Sequence, residues 1–165
     1  DFDGAIAHYQ IAKSLIWEGD SLGKLHKVWA DTLFERGTAA DRKSAWDHVQ
    51  LALQHRRTSW RAETLWSAAL IASNHPDWEV AKRLERACSL FGEAVELNPA
   101  TAIQGLGPAL SWIARWAGAV PHSNARDALV HLLAGVYPEG SEDIYRAGKG
   151  GAEGPMGMPL LSVFA

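Results

Sequence analysis

The segment His55-Arg56-Arg57-Thr58-Ser59-Trp60-Arg61 is the densest charge feature of this 165-residue sequence. Three arginines beside a tryptophan at a helix entry can grip a carboxylate or phosphate, because each guanidinium presents a rigid fork of N–H donors. The plainer reading is a solvated turn between helices, with the arginine stems covering Trp60. Arg56, Arg57, Trp60 and Arg61 are the candidate partner contacts of this turn.

Other reactive side chains lack the spacing that chemistry requires. His8, His26, His48, His55, His75, His122 and His131 are scattered, with no His-Glu-x-x-His pair on one helix face. His48 and His55 share a face, but seven residues of helix separate them by about 10 Å, too far for one ion. No metal ligand is assigned. Cys88, with Arg83, Glu85 and Arg86 nearby, lies within a helical pattern and reads as a small buried hydrophobe. Ser44 and Ser141 lack a Gly-x-Ser-x-Gly elbow, and Gly148-Lys149-Gly150-Gly151 lacks the spacing and preceding strand of a phosphate loop. No catalytic residue and no cofactor are expected.

Composition bounds the remaining classes. A net charge of −3 gives no electrostatic case for nucleic-acid binding. No apolar run reaches the eighteen residues of a membrane span. The single cysteine rules out an internal disulfide and a multi-cysteine zinc site. With 47% hydrophobic and 21% charged residues the chain reads as a folded domain, and no signal peptide is visible, so the cytoplasm is the default compartment. The chain opens Asp1-Phe2-Asp3 without Met and reads as a processed product or a piece of something longer. Eight tryptophans suit helix packing and interfaces alike.

Periodicity predicts seven helices and no strand, an all-α fold. They run over about 3–17, 21–35, a third capped by Thr38 or Asp41 and reaching Gln54, and a fourth capped by Thr58 or Ser59. The fourth carries Leu65 to Ala72, apolar nearly all round, and should be buried centrally. A fifth is expected to open at Pro76 and end at Leu97, a sixth to open at Pro108, and a seventh to run from Ser123 or Asn124 to Val136. From Glu139 onward glycine and proline predict an irregular tail, so the chain divides into a helical domain, 1–138, and a tail, 139–165. The tail ends in apolar Leu160-Leu161-Ser162-Val163-Phe164-Ala165, costly to leave in water, which makes Leu160, Leu161 and Phe164 candidate docking residues.

Four small–large–small sets recur along these helices. Ala5, Tyr9 and Ala12 are followed by Ala45, Val49 and Ala52, by Ala87, Phe91 and Ala94, and by Ala128, Leu132 and Gly135, at intervals of 40, 42 and 41 residues. Such a stripe lets a neighbouring helix approach closely, and its recurrence is the signature of stacked helical pairs. Ala87 to Pro99 resembles the second helix of a tetratricopeptide repeat, and Ala5 to Ala12 resembles another. Trp29 and Trp112 precede Ala45 and Ala128 by sixteen residues, the offset of that family's first-helix tryptophan. The departures are a period of 40–42 against the family's 34, Thr32-Leu33 and Arg115-Trp116 in place of its Leu-Gly pair, and a terminal proline in one set only.

The resemblance implies a TPR-like α-α superhelix that binds a peptide or protein partner as a scaffold, or as an accessory subunit of a larger assembly. A small-ligand-binding or enzymatic domain with a pocket between helices is the alternative. A third reading is an accessory subunit of a membrane complex that uses the apolar C-terminus.

Overall fold

The computed structural model describes residues 1–16, 19–55, 60–119 and 124–149, the side chains of 102–104 and 116–119 excepted. Within them the chain is all-α: α1 (Phe2–Leu15), α2 (Asp20–Arg36), α3 (Ala39–Gln54), α4 (Arg61–Ser73), α5 (Val80–Leu97), α6 (Ala100–Ala119), α7 (Asn124–Val136) and α8 (Ser141–Gly148). A 3-10 turn, Pro138–Gly140, leads into α8.

Several ends follow local chemistry. Asp1 accepts hydrogen bonds from the Asp3 and Gly4 amides and opens α1. Gly37, at φ 83°, adopts the left-handed conformation that closes α2. Thr38 and Asp41 form a reciprocal capping box at the start of α3, the Asp41 amide donating to Thr38 Oγ1 at 3.1 Å. Arg36, in the last turn of α2, donates to Asp41 and also reaches Asp3 on α1 at 2.7 Å.

Several expectations are corrected. The N-cap of α4 is Trp60, without a side-chain hydrogen bond, rather than Thr58 or Ser59. Pro76 does not open α5, which starts at Val80 with Glu79 as its cap. His75 to Glu79 are held outside a helix instead, because Arg83 donates to the carbonyls of Trp78 and Pro76 and the Asp77 amide donates to His75 Nδ1. Pro108 does not open α6 but lies inside it. It removes one main-chain bond, and the burial of Leu106, Ala109, Leu110, Trp112 and Ile113 offsets the loss. Residues 141–148, within the expected irregular tail, form α8, where Ile144 is buried against the rest of the core.

Packing runs in chain order, α1 on α2, α2 on α3, α3 on α4, α4 on α5 and α5 on α6. The even-numbered helices also touch in series, α2 to α4, α4 to α6 and α6 to α8, while α7 lies chiefly on α5 and α8. One continuous core extends from Trp29 to Ile144. As expected, α4 is central, with nine buried residues in its thirteen. The stripes Ala45, Val49, Ala52 and Ala87, Phe91, Ala94 are buried. The fourth set is out of phase: Ala128 and Gly135 are exposed, and α7 turns Arg126, Leu129, Val130, Leu133 and Ala134 inward instead.

Candidate functional site

Of the residues singled out in the basic turn, Arg56 and Arg57 lie outside the described residues, as do Leu160, Leu161 and Phe164 of the tail. Trp60 and Arg61 come together at the junction of α3 and α4. The half-buried Trp60 precedes α4, and its carbonyl accepts from the Thr64 amide at 3.0 Å and from Thr64 Oγ1 at 3.1 Å. Arg61 donates through Nη1 to the Leu53 carbonyl at 3.0 Å, capping the C-terminal end of α3. This guanidinium fastens one helix to the next.

Trp29, Trp46, Trp66, Trp78 and Trp112 are engaged in packing. Of the six whose side chains are described, Trp29, Trp46 and Trp112 are buried and Trp60, Trp66 and Trp78 are partly so. Trp66, Phe91 and Trp112 form one aromatic cluster, with the Trp66 and Phe91 rings 5.1 Å apart. Trp46 meets Trp78 edge-on at 4.9 Å, His75 stacks on Trp78 at 4.2 Å, and Lys82 Nζ lies 4.8 Å above that indole. No described tryptophan is left exposed as an anchor for a partner.

Periodicity did not single out one meeting of two titratable rings. His26 on α2 and His48 on α3 bring their Nδ1 atoms to 2.9 Å, and the Trp29 ring stacks on His48 at 4.1 Å. Tyr9 of α1 closes the stack, its ring 6.1 Å from Trp29 and its hydroxyl 3.1 Å from Thr32 Oγ1. Burial lowers the basicity of both imidazoles, and of His48 to a pKa of about 4. Among the described residues, no group of three or more His, Cys, Asp or Glu side chains could hold a metal ion. The Cys88 thiol is buried and pushed up to about 12, which keeps it protonated and unreactive at neutral pH.

Two surface features remain. A cleft of about 590 Å³ between α7 and α8 is lined by Arg126, Asp127, Val130, His131, Tyr145 and Lys149, among others. Arg126 pairs with Asp127 at 3.1 Å, and the Tyr145 hydroxyl lies 3.3 Å from His131 Nδ1. The second feature is the outer face of α1. This helix buries no residue fully, and it leaves Ile11 58% and Leu15 72% exposed, with Phe2 at 42%. Ala7, Ile11 and Leu15 follow one another at intervals of four and so share that face.

No family model matches the chain, and no curated protein or solved structure is significantly similar to it. No helix among the described residues is long and apolar enough to cross a membrane.

Proposed function

We propose that this chain is a tetratricopeptide-like helical module that docks a protein partner, through an amphipathic helix, inside a larger assembly. The observation that carries the reading is the outer face of α1, an apolar stripe of Ala7, Ile11 and Leu15 open to water. An apolar helix face takes a second helix whose own anchors recur at three- and four-residue spacing. The serial contact of α2, α4, α6 and α8 supports the repeat component, since stacked helical pairs would place their first helices in one row. The buried stripes on α3 and α5 support it too. The fourth set, out of phase on α7, does not support a repeat there.

Purification from the native source, followed by size-exclusion chromatography and mass spectrometry, tests this directly. The whole chain should elute as a stoichiometric complex with a discrete protein. Ile11→Glu with Leu15→Glu should abolish that complex and leave helical content unchanged. A complex untouched by the double substitution would remove α1 as the docking face.

A second reading rests on the α7–α8 cleft, whose volume of about 590 Å³ falls within the range of small-ligand sites. In that case a bound small molecule, rather than a protein, would accompany the purified chain. Tyr145→Ala would release it.

A further inference from the structure

His26 and His48 stand 22 positions apart in the chain and meet through the same ring nitrogen, Nδ1 to Nδ1 at 2.9 Å. An imidazole nitrogen can donate only when protonated and accept only when bare. The contact therefore holds one proton between two facing atoms. One ring is the Nδ1–H tautomer, and the other carries its proton on Nε2.

We propose that this pair is an acid-sensitive latch between α2 and α3, closed by the single shared proton and opened when both rings become charged. The proton count gives the device its threshold. A first proton from solvent can settle on the bare Nε2 of the donor ring, which leaves the contact in place as imidazolium and imidazole. A second must occupy the facing lone pair. Two N–H groups then point at each other across 2.9 Å, and the hydrogen bond is gone. Opening the latch frees both rings to take up protons in water.

The surroundings make charge on this pair unfavourable. His26 is only 3% exposed, and the stack of Trp29 on His48 at 4.1 Å replaces water with an aromatic wall. Lys13 of α1 disfavours a proton on either ring, His55 at the end of α3 disfavours one on His26, and Asp47 of α3 favours one on His48. Arg61 of α4 is bonded to the Leu53 carbonyl. Burial comes first among the causes that lower both basicities, in keeping with a closed, neutral pair at pH 7.

The sign is that of a base weakened by folding. The contribution of His48 is complete above the ordinary histidine value of 6.5 and is lost as pH falls toward about 4, and that of His26 is lost with acid in the same direction. Each extra proton bound by the unfolded chain raises the unfolding constant about tenfold per pH unit across that window. His26, lowered in the same direction, adds to the slope. Acid should loosen α2 from α3 and release Tyr9, hence α1, which packs on the same stack.

The test combines denaturant titrations between pH 7 and 4 with ring-nitrogen NMR of the whole protein. The comparison variant is His26→Asn with His48→Asn, whose amides present a donor and an acceptor near the Nδ1 positions and do not titrate. The wild-type unfolding constant should rise more steeply with acid than that of the double variant, by a factor approaching tenfold per pH unit below pH 6. The NMR spectrum at pH 7 should show one Nδ1–H and one Nε2–H ring. Equal acid slopes in the two proteins would overturn the latch. Should the variant fail to fold, the wild-type spectrum still decides, because two rings titrating independently near 6.5 in a folded protein would overturn it as well.

Discussion

Gly105 on α6 lies against Phe91 on α5 with no room for a side chain between them: a Cβ at Gly105 would stand 2.7 Å from Phe91 Cζ and 2.9 Å from Trp66 Cζ3. Phe91 is fully buried and cannot swing away. Gly105→Ala should therefore destabilise the fold by about 1–3 kcal/mol, although alanine is the better helix former. Denaturant unfolding checks this, and an unchanged midpoint would mean that α5 and α6 are not this close.

The buried stripes predict a contrast between equivalent substitutions. Ala45→Leu and Ala87→Leu, at positions with no exposed surface, should each cost about 1–3 kcal/mol through overpacking. Ala128→Leu should stay within about 0.5 kcal/mol of wild type, because Ala128 is exposed. Gly135→Ala, with nothing within 4 Å of the new Cβ, should be neutral or stabilising by up to about 1 kcal/mol. Thermal melts showing Ala128→Leu as damaging as Ala87→Leu would restore the fourth set to the core.

Asp41 joins three elements through Arg36, which also holds Asp3, and its hydrogen bonds with Arg36 and then Thr38 depress its pKa to about 2. Asp41→Ala removes the cap and leaves Arg36 without its main partner, for a loss of about 1–2 kcal/mol. The carboxylate's contribution is complete above its ordinary value of 3.8 and is lost as pH falls toward about 2. Wild type and Asp41→Ala should therefore converge in stability near pH 2, in acid unfolding curves.

Cys88 should resist thiol reagents in the folded protein at pH 8, since burial keeps the thiol protonated and closed to solvent. Denaturation should expose it to rapid labelling. Fast reaction with native protein would contradict the packing of α5 against its neighbours.

Arg61→Ala should lower stability by about 1 kcal/mol, because the Leu53 carbonyl at the end of α3 loses its donor. The effect should appear in the melting temperature of the isolated chain, with no partner present. An unchanged melt would return Arg61 to the role of a solvated surface cation.

Local signals in the sequence determined the all-α class, most helix ends and the core faces of α3 and α5. A capping box at Thr38 and Asp41, a glycine after Arg36 and a stop at Asn98-Pro99 act over three or four residues, so they read correctly without the rest of the fold. Tertiary structure decided what local preference could not. Pro108 is a poor interior helix residue, yet α6 continues through it because its apolar face is buried on both sides of the proline. The first turns of the expected tail become α8 because Ile144 finds the core beside α6 and α7. Arg61 gains its bond to the Leu53 carbonyl only when the end of α3 arrives beside it. His26 and His48 lie 22 residues apart and meet only when α2 folds back along α3. In each case the deciding free energy comes from surfaces distant in the chain, and a periodicity read along one segment contains no term for them.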